Sequence, residues 1–276
     1  MRLVPPTETD PMPIDRTAVP AARRRLCFEA LPGIPEVRPG DALDELVMRA
    51  LDAAAIELAP DTIVVVAQKI VSKAEGRFAW LDEVTPSSQA LELARITGKD
   101  ARLVALTLAE STRVLRAVPG VLIVRHRLGY VMANAGIDLS NVPDEGGRER
   151  ALLLPLAPDQ SAAALRAALR ARTGTSVGVI ISDSFGRPWR NGVVNVALGS
   201  AGIPALIDRR GEPDRHGRTL QITQTAFADA IAAGAAVVMG EGDEGMPVVL
   251  ASGFLPAAPE IDCKALLRPL GADLFQ

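Results

Sequence analysis

Thiols and aromatic rings are scarce in this chain of 276 residues, which holds two cysteines, one tyrosine, two tryptophans and six phenylalanines. Cys27 and Cys263 lie near opposite ends with no Cys-x-x-Cys pair, which excludes a disulfide framework and suits a reducing, cytoplasmic setting. His126 and His216 are each isolated from a second histidine or a paired cysteine. That argues against a zinc site and leaves both as surface or structural residues. No apolar run approaches the ~20 residues that span a bilayer, so no membrane partner is expected; Ile231 to Met239 is among the longest. Pro5, Pro6, Pro11 and Pro13 stand where a signal peptide needs its apolar segment. A basic surplus is missing too: a net charge of -3 and a pI near 5.6 argue against nucleic-acid binding, although local basic clusters can hold a small anion. There is no Walker-type glycine loop, Gly-x-Ser-x-Gly elbow or His-Glu-x-x-His pair, so P-loop nucleotide hydrolysis is excluded.

What is present is ordinary globular material, 48% hydrophobic and 23% charged, enough for one large core or two moderate ones. Residues 1–25, with scattered prolines and Arg23-Arg24-Arg25, are expected to form a poorly ordered extension. The module proper is expected over 26–254 and a tail over 255–276. Apolar runs at 27–31, 62–67, 121–124, 152–156, 177–181, 193–198, 205–208, 235–239 and 248–250 read as strands. Helical spacing marks a helix opened by Asp41, with Leu43, Leu46, Val47, Ala50 and Leu51 on one stripe. Further helices are expected over 86–116, divided near Gly98, over 161–172 capped by Asp159 or Ser161, and over 225–233. Strand and helix alternate, which makes the fold class α/β, a mixed α+β arrangement.

Val179-Ile180-Ile181-Ser182-Asp183-Ser184-Phe185-Gly186-Arg187-Pro188-Trp189-Arg190-Asn191-Gly192 stands out. A buried strand should end near Ile181 and the chain turn at Gly186. That puts Asp183 and Ser184 where open α/β sheets gather ligands. Carboxylate and hydroxyl are hard donors for Mg²⁺ or Mn²⁺, and Arg187 and Arg190 offer planar forks to phosphate or carboxylate. An ordinary turn with solvated arginines uses the same residues. Trp189 suits either stacking on a flat ring or core packing.

Lys69 and Lys73, four apart on a helix, share a face and could reach one polyphosphate; a solvated lysine face reads identically. Asn134 to Pro143, holding Asp138 and Asn141, and Gly240 to Pro247, holding Glu241, Asp243 and Glu244, are each either ligand loops or conformational turns.

Together these segments resemble one family, the coenzyme F420-0:L-glutamate ligases (gamma-glutamyl ligases), from about Leu31 to Phe254. The likeness rests on Leu31-Pro32-Gly33-Ile34, on Gln68 to Gly76, on Asn134 to Asp138 with Ser140 to Pro143, on Asp183 to Gly192, and on Gly240 to Pro247, in that order. It implies a two-subdomain fold in an intertwined homodimer with the active groove at the interface. It also implies a GTP-dependent ligase acting on coenzyme F420-0 and L-glutamate with two divalent cations, Mn²⁺ or Mg²⁺, assisted by a monovalent ion such as K⁺. Carried over residue by residue, Leu31, Pro32, Gly33, Ile34, Gln68, Lys69, Lys73 and Asn141 would bind the nucleotide. Asp138, Asp183, Ser184 and Glu241 would bind metal, and Arg187 and Arg190 would hold an acceptor carboxylate or phosphate. Family members commonly place Thr at the position of Ser184, and some place Gln at that of Glu241. Some relatives carry a further flavin-binding reductase domain, which a chain ending at Gln276 is too short to hold. A related ligase with another acceptor and a non-catalytic nucleotide-binding protein stay open as alternatives.

Overall fold

The computed structural model describes residues 24–273, so the extension expected over 1–25 lies outside the described residues apart from Arg24 and Arg25. In chain order the elements are β1 (Cys27–Ala30), α1 (Leu43–Ala54), β2 (Ile63–Ala67), α2 (Gln68–Ala74), β3 (Phe78–Trp80), α3 (Ser88–Thr97) and α4 (Ala101–Ala109). Then come β4 (Ser111–Val118), β5 (Val121–His126), β6 (Val131–Ala133), β7 (Arg150–Leu152), α5 (Pro158–Thr173), β8 (Gly178–Arg187) and β9 (Arg190–Ala201). The last are β10 (Leu206–Asp208), β11 (Gln224–Ala226), α6 (Phe227–Met239) and β12 (Val248–Ser252).

The central five-stranded sheet has the order β1-β12-β2-β8-β9. Only β2 and β8 run parallel; the other neighbours pair antiparallel, as a mixed α/β fold allows. The β-branched runs of β2 and β8 are buried on both faces because helices cover both. Alternate residues serve alternate cores. Val64, Val66, Val179 and Ile181 pack with Leu46 and Leu51 of α1 and Leu165 and Leu169 of α5. Ile63, Val65 and Ile180 pack with Phe227, Ile231 and Ala235 of α6. A third cluster joins Ala90, Val104, Leu122, Val124 and Ala135 beside the β4-β5-β6 sheet.

Several local expectations fail for identifiable reasons. The run 235–239 is not a strand but the last turns of α6, which buries Phe227, Ala228, Ile231, Ala232, Ala235 and Met239 at helical spacing. A short run of small apolar residues fits either period, and packing decided: a Cβ added at Gly234 would collide with the ring of Phe28 in β1. The helical reading of 86–116 holds to Ala109, with Gly98 in the left-handed region as the break, but Ser111 to Val118 pairs with β5 instead. Asp41 accepts from the Arg38 N–H at 2.8 Å, closing a turn ahead of α1 rather than capping the helix. Helix α5 begins at Pro158, and Asp159 is not its cap; it accepts the N–H groups of Ser200 and Cys263, which ties part of the tail to the sheet. The strand expected over 152–156 shrinks to β7, paired with β3.

One partly buried ion cluster holds the α4–β4 corner to the rest. Arg77 Nη2 lies 3.1 Å from both oxygens of Glu110, Arg127 Nε lies 3.0 Å from Oε2, and the buried His126 has Nε2 3.3 Å from the same oxygen. Burial by itself would raise the Glu110 carboxyl. The contacts from His126 and Arg127 and the charge of Arg77 outweigh it and hold the group down to about 2, against an ordinary 4.5. A depressed folded value means that the stabilisation is complete above 4.5 and vanishes as the pH falls through about 2. Glu110→Gln should therefore lower the unfolding free energy at pH 7 by roughly 1–3 kcal/mol. In denaturant titrations at stepped pH, its gap from wild type should close between pH 4.5 and about 2.

Candidate active site

The site begins where β2 stops. Its parallel pairing with β8 ends at Ala67–Ser182, and the chain passes from Ala67 directly into α2. Strand β8 runs on to Arg187, so Asp183 and Ser184 sit inside a strand, beyond the carboxyl end of β2, with no parallel neighbour. The turn expected at Gly186 falls instead at Pro188-Trp189, where Trp189 has φ +66° and is 89% exposed; it is no core residue. Between Ile181–Gly199 and Ser182–Ala197 the β8–β9 register slips, leaving Leu198 as a bulge that re-aims the residues beyond it.

A cavity of about 340 Å³ opens there. Ser182, Asp183, Ser184 and Asn195 form one wall. Gln68, Lys69 and Lys73 of α2 form the second, and Ile34 to Val37 the third. The acidic loop Gly240 to Pro247, with Glu241, closes the mouth; it leaves the end of α6 rather than a strand. Asn141 also lines the cavity and donates to the Gly242 carbonyl at 3.4 Å, bridging two loops.

Asp138 stands just behind this wall, held by Gln68 Nε2 at 3.0 Å and Lys69 Nζ at 3.5 Å. Gln68 is itself buried and accepts from Ser72 Oγ at 2.9 Å, while Lys69 also donates to Ser140 Oγ at 3.0 Å. The two lysines expected to share one task diverge: Lys69 turns to Asp138, and Lys73 points to Glu36, 2.5 Å away. Leu31 is fully buried in the core beneath, with Pro32 and Gly33 leading from it to Ile34. Arg187 and Arg190 flank the hairpin tip outside the cavity wall.

Burial, then the negative charge of Asp138, pushes the Asp183 carboxyl up to about 7. Burial also raises Asp138, an effect that Lys69 and Gln68 temper, and Glu241 adds its repulsion to both. Asp183 and Glu241 thus share the cavity with Asp138 close behind its wall, and a cation there would relieve them. Among the described residues no three His, Cys, Asp or Glu side chains are grouped closely enough to hold a metal ion by themselves. The donor set suits Mg²⁺ or Mn²⁺ shared with phosphate oxygens, since such ions use one or two carboxylates and complete their shell from substrate and water.

Three cavity residues have no role in the sequence reading. Glu36 stands two residues past the Leu31–Ile34 anchor and could have been read from its neighbours. Ser182 Oγ and Asn195 Oδ1 are buried in the wall with no hydrogen-bond partner among the described residues. Asn195 carries no local signal at all; it enters the site because the β8–β9 register sets it opposite Ser184. Gln68 is the structural keystone of the second wall. Gln68→Leu strips Ser72 and Asp138 of their partner and should cost about 1–3 kcal/mol of stability in urea unfolding; a loss under ~0.5 kcal/mol would mean the network is solvated.

Comparison with known proteins points to one family. The profile of the F420-0:Gamma-glutamyl ligase family matches residues 33–253. The coenzyme F420:L-glutamate ligase of Methanopyrus kandleri is 43% identical over 255 residues, covering 91% of this chain and 98% of its own length. That of Methanothermobacter thermautotrophicus is 44% identical over 246 residues, covering 88% and 96%. That of Halobacterium salinarum is 45% identical over 231 residues, covering 82% and 86%. On a family match that spans most of the chain and on relatives aligned over nearly their whole length, this chain belongs to the F420-0:gamma-glutamyl ligase family.

Proposed function

We propose that the protein adds L-glutamate to coenzyme F420-0 at the expense of GTP, forming γ-linked oligoglutamate and releasing GDP and phosphate. The observation that carries this reading is the single cavity in which Asp183, Ser184 and Glu241 face Lys69 and Lys73, with Asp138 behind Lys69. Acids and lysines in one pocket suit a triphosphate together with cations, and the names of the relatives supply the substrates.

A free carboxylate acylates poorly because its leaving group would be oxide. Transfer of the GTP γ-phosphoryl group to the F420-0 carboxylate makes an acyl phosphate and GDP. The glutamate amine then attacks that carbonyl and phosphate leaves, closing an amide; later rounds use the γ-carboxylate of the glutamate just added. Phosphoryl transfer needs mainly positioning and charge neutralisation. Asp138, Asp183, Ser184 and Glu241 would hold two divalent cations, Mn²⁺ or Mg²⁺, which would supply positive charge to the triphosphate. Lys69 and Lys73 offset further negative charge. Gln68, Asn141 and Ile34 seat the nucleotide, with Leu31 to Gly33 anchoring Ile34 to the core. Arg187 and Arg190, at the hairpin tip, hold the acceptor's phosphate or carboxylate. A K⁺ ion, a homodimer with the groove at its interface, and a cytoplasmic setting complete the proposal. No helix among the described residues is long and apolar enough to cross a membrane.

The test is incubation with F420-0, GTP, L-glutamate and Mn²⁺, read by mass spectrometry for products lengthened by glutamyl residues. GTP turnover with another acceptor, and none with F420-0, would move the chain to a different ligase. GTP binding without phosphate release would make it a binding protein. Asp183→Asn should lower turnover by ~100-fold or more with an unchanged circular dichroism spectrum, and Lys73→Ala should raise the Michaelis constant for GTP. Full activity of Asp183→Asn in Mn²⁺ would remove that residue from the metal site.

A further inference from the structure

Lys73 is an unusual lysine. It lies in the last turn of α2, lines the cavity and is only 5% exposed. Lysine is almost never buried so deeply unless paired. Its partner is Glu36, whose Oε1 lies 2.5 Å from Nζ. Among the described residues no second acceptor reaches that ammonium.

The pair is asymmetric. The cation is enclosed on a helix, while the anion belongs to the loop between β1 and α1 and its side chain is 60% exposed. Glu36 has solvent to retreat into; Lys73 has none. Around them stand Asp183, Glu241, Asp243 and Glu244 in the same cavity walls. A nucleotide phosphate arriving at Lys73 would meet a carboxylate already on the only buried ammonium of the site. Two anions on one ammonium repel each other strongly at such distances.

We propose that Glu36 is a displaceable counter-anion for Lys73. In the ligand-free protein it keeps the buried ammonium paired and aimed; on binding, a phosphate of the nucleotide replaces it and Glu36 swings to solvent. Glu36 is thus a positioning residue that touches no reacting atom, and it lowers nucleotide affinity in exchange for a satisfied lysine. The inference rests on the GTP reading above.

Calorimetric binding of a non-hydrolysable GTP analogue with Mn²⁺ tests it. Glu36→Gln should bind roughly two- to ten-fold more tightly than wild type. The gain should appear in Kd and in KM for GTP and not in kcat. The ligand-free variant should melt below wild type, and the analogue should raise its Tm by more. In a Lys73→Met background the same substitution should leave affinity unchanged, because the competition is for that ammonium. Glu36→Asp, one methylene shorter, should also tighten binding but by less, and it serves if Glu36→Gln folds poorly. A pair with a merely structural role would lower Tm and leave affinity equal or weaker. That result, or tightening that persists with Met at position 73, overturns the proposal. Wild type failing to bind the analogue would instead remove the GTP reading, and this one with it.

Discussion

One pairing organises the molecule: the parallel contact of β2 with β8, which lasts from Ile63–Gly178 to Ala67–Ser182 and then ends. Both strands are apolar along this stretch up to Ser182 and covered by helices on both faces, so their register is set by two cores at once. Where β2 gives way to α2, the backbone of β8 continues without its parallel neighbour, and the side chains beyond Ile181 change from apolar to Ser, Asp and Ser. The cavity is what that mismatch in length leaves open. Every other wall is brought to it: α2 by its direct junction with β2, the Gly240–Pro247 loop by the turn from α6 into β12, and the Ile34–Val37 segment by the exit from β1.

Charge inside the cavity is unbalanced both in its distribution and in its total, with more carboxylates than lysines on its walls. Asp138 is matched by Lys69 and Gln68, and Lys73 by Glu36, yet Asp183 and Glu241 are left to repel their neighbours. A buried carboxylate with no cation of its own is costly. The most enclosed of the acids, Asp183, has its carboxyl raised to about 7 by burial and by Asp138, a pocket that stores a demand for positive charge. Ser182 and Asn195 add polar atoms with no hydrogen-bond partner among the described residues on the same wall. A core that was only structural would have paired or replaced such groups. The Glu110 cluster shows the contrast. Equally ionic, it is saturated by Arg77, His126 and Arg127, and it serves to hold the fold together.

The sequence was legible wherever the chemistry is local. Continuous β-branched runs announce β2 and the first half of β8, Gly98 marks the break between α3 and α4, and the helical stripe of α1 is plain. It misled where one segment satisfies two periods: Ala235 to Met239 has the composition of a strand, and only its packing against Phe28 and the sheet makes it the end of α6. Asp41 and Asp159 look like helix caps because Asp is a good cap, but each found a closer N–H elsewhere. Asn195 was invisible, since nothing around it in the chain distinguishes it from any strand asparagine.

By itself, then, the amino-acid order determined the composition of the strands and helices, the inventory of carboxylates, hydroxyls and lysines, and the ordered set of motifs that marks the family. Local properties are written in neighbouring residues, and family motifs are strings of neighbours. Tertiary structure alone decided which charges meet. Lys73 finds Glu36 while Lys69 finds Asp138, Gln68 clasps Asp138 seventy residues away, and Asn141 reaches the Gly242 carbonyl across a hundred and one. Such partners depend on sheet register and loop closure, which are settled by burying two apolar faces at once and leave no trace in any short stretch of sequence.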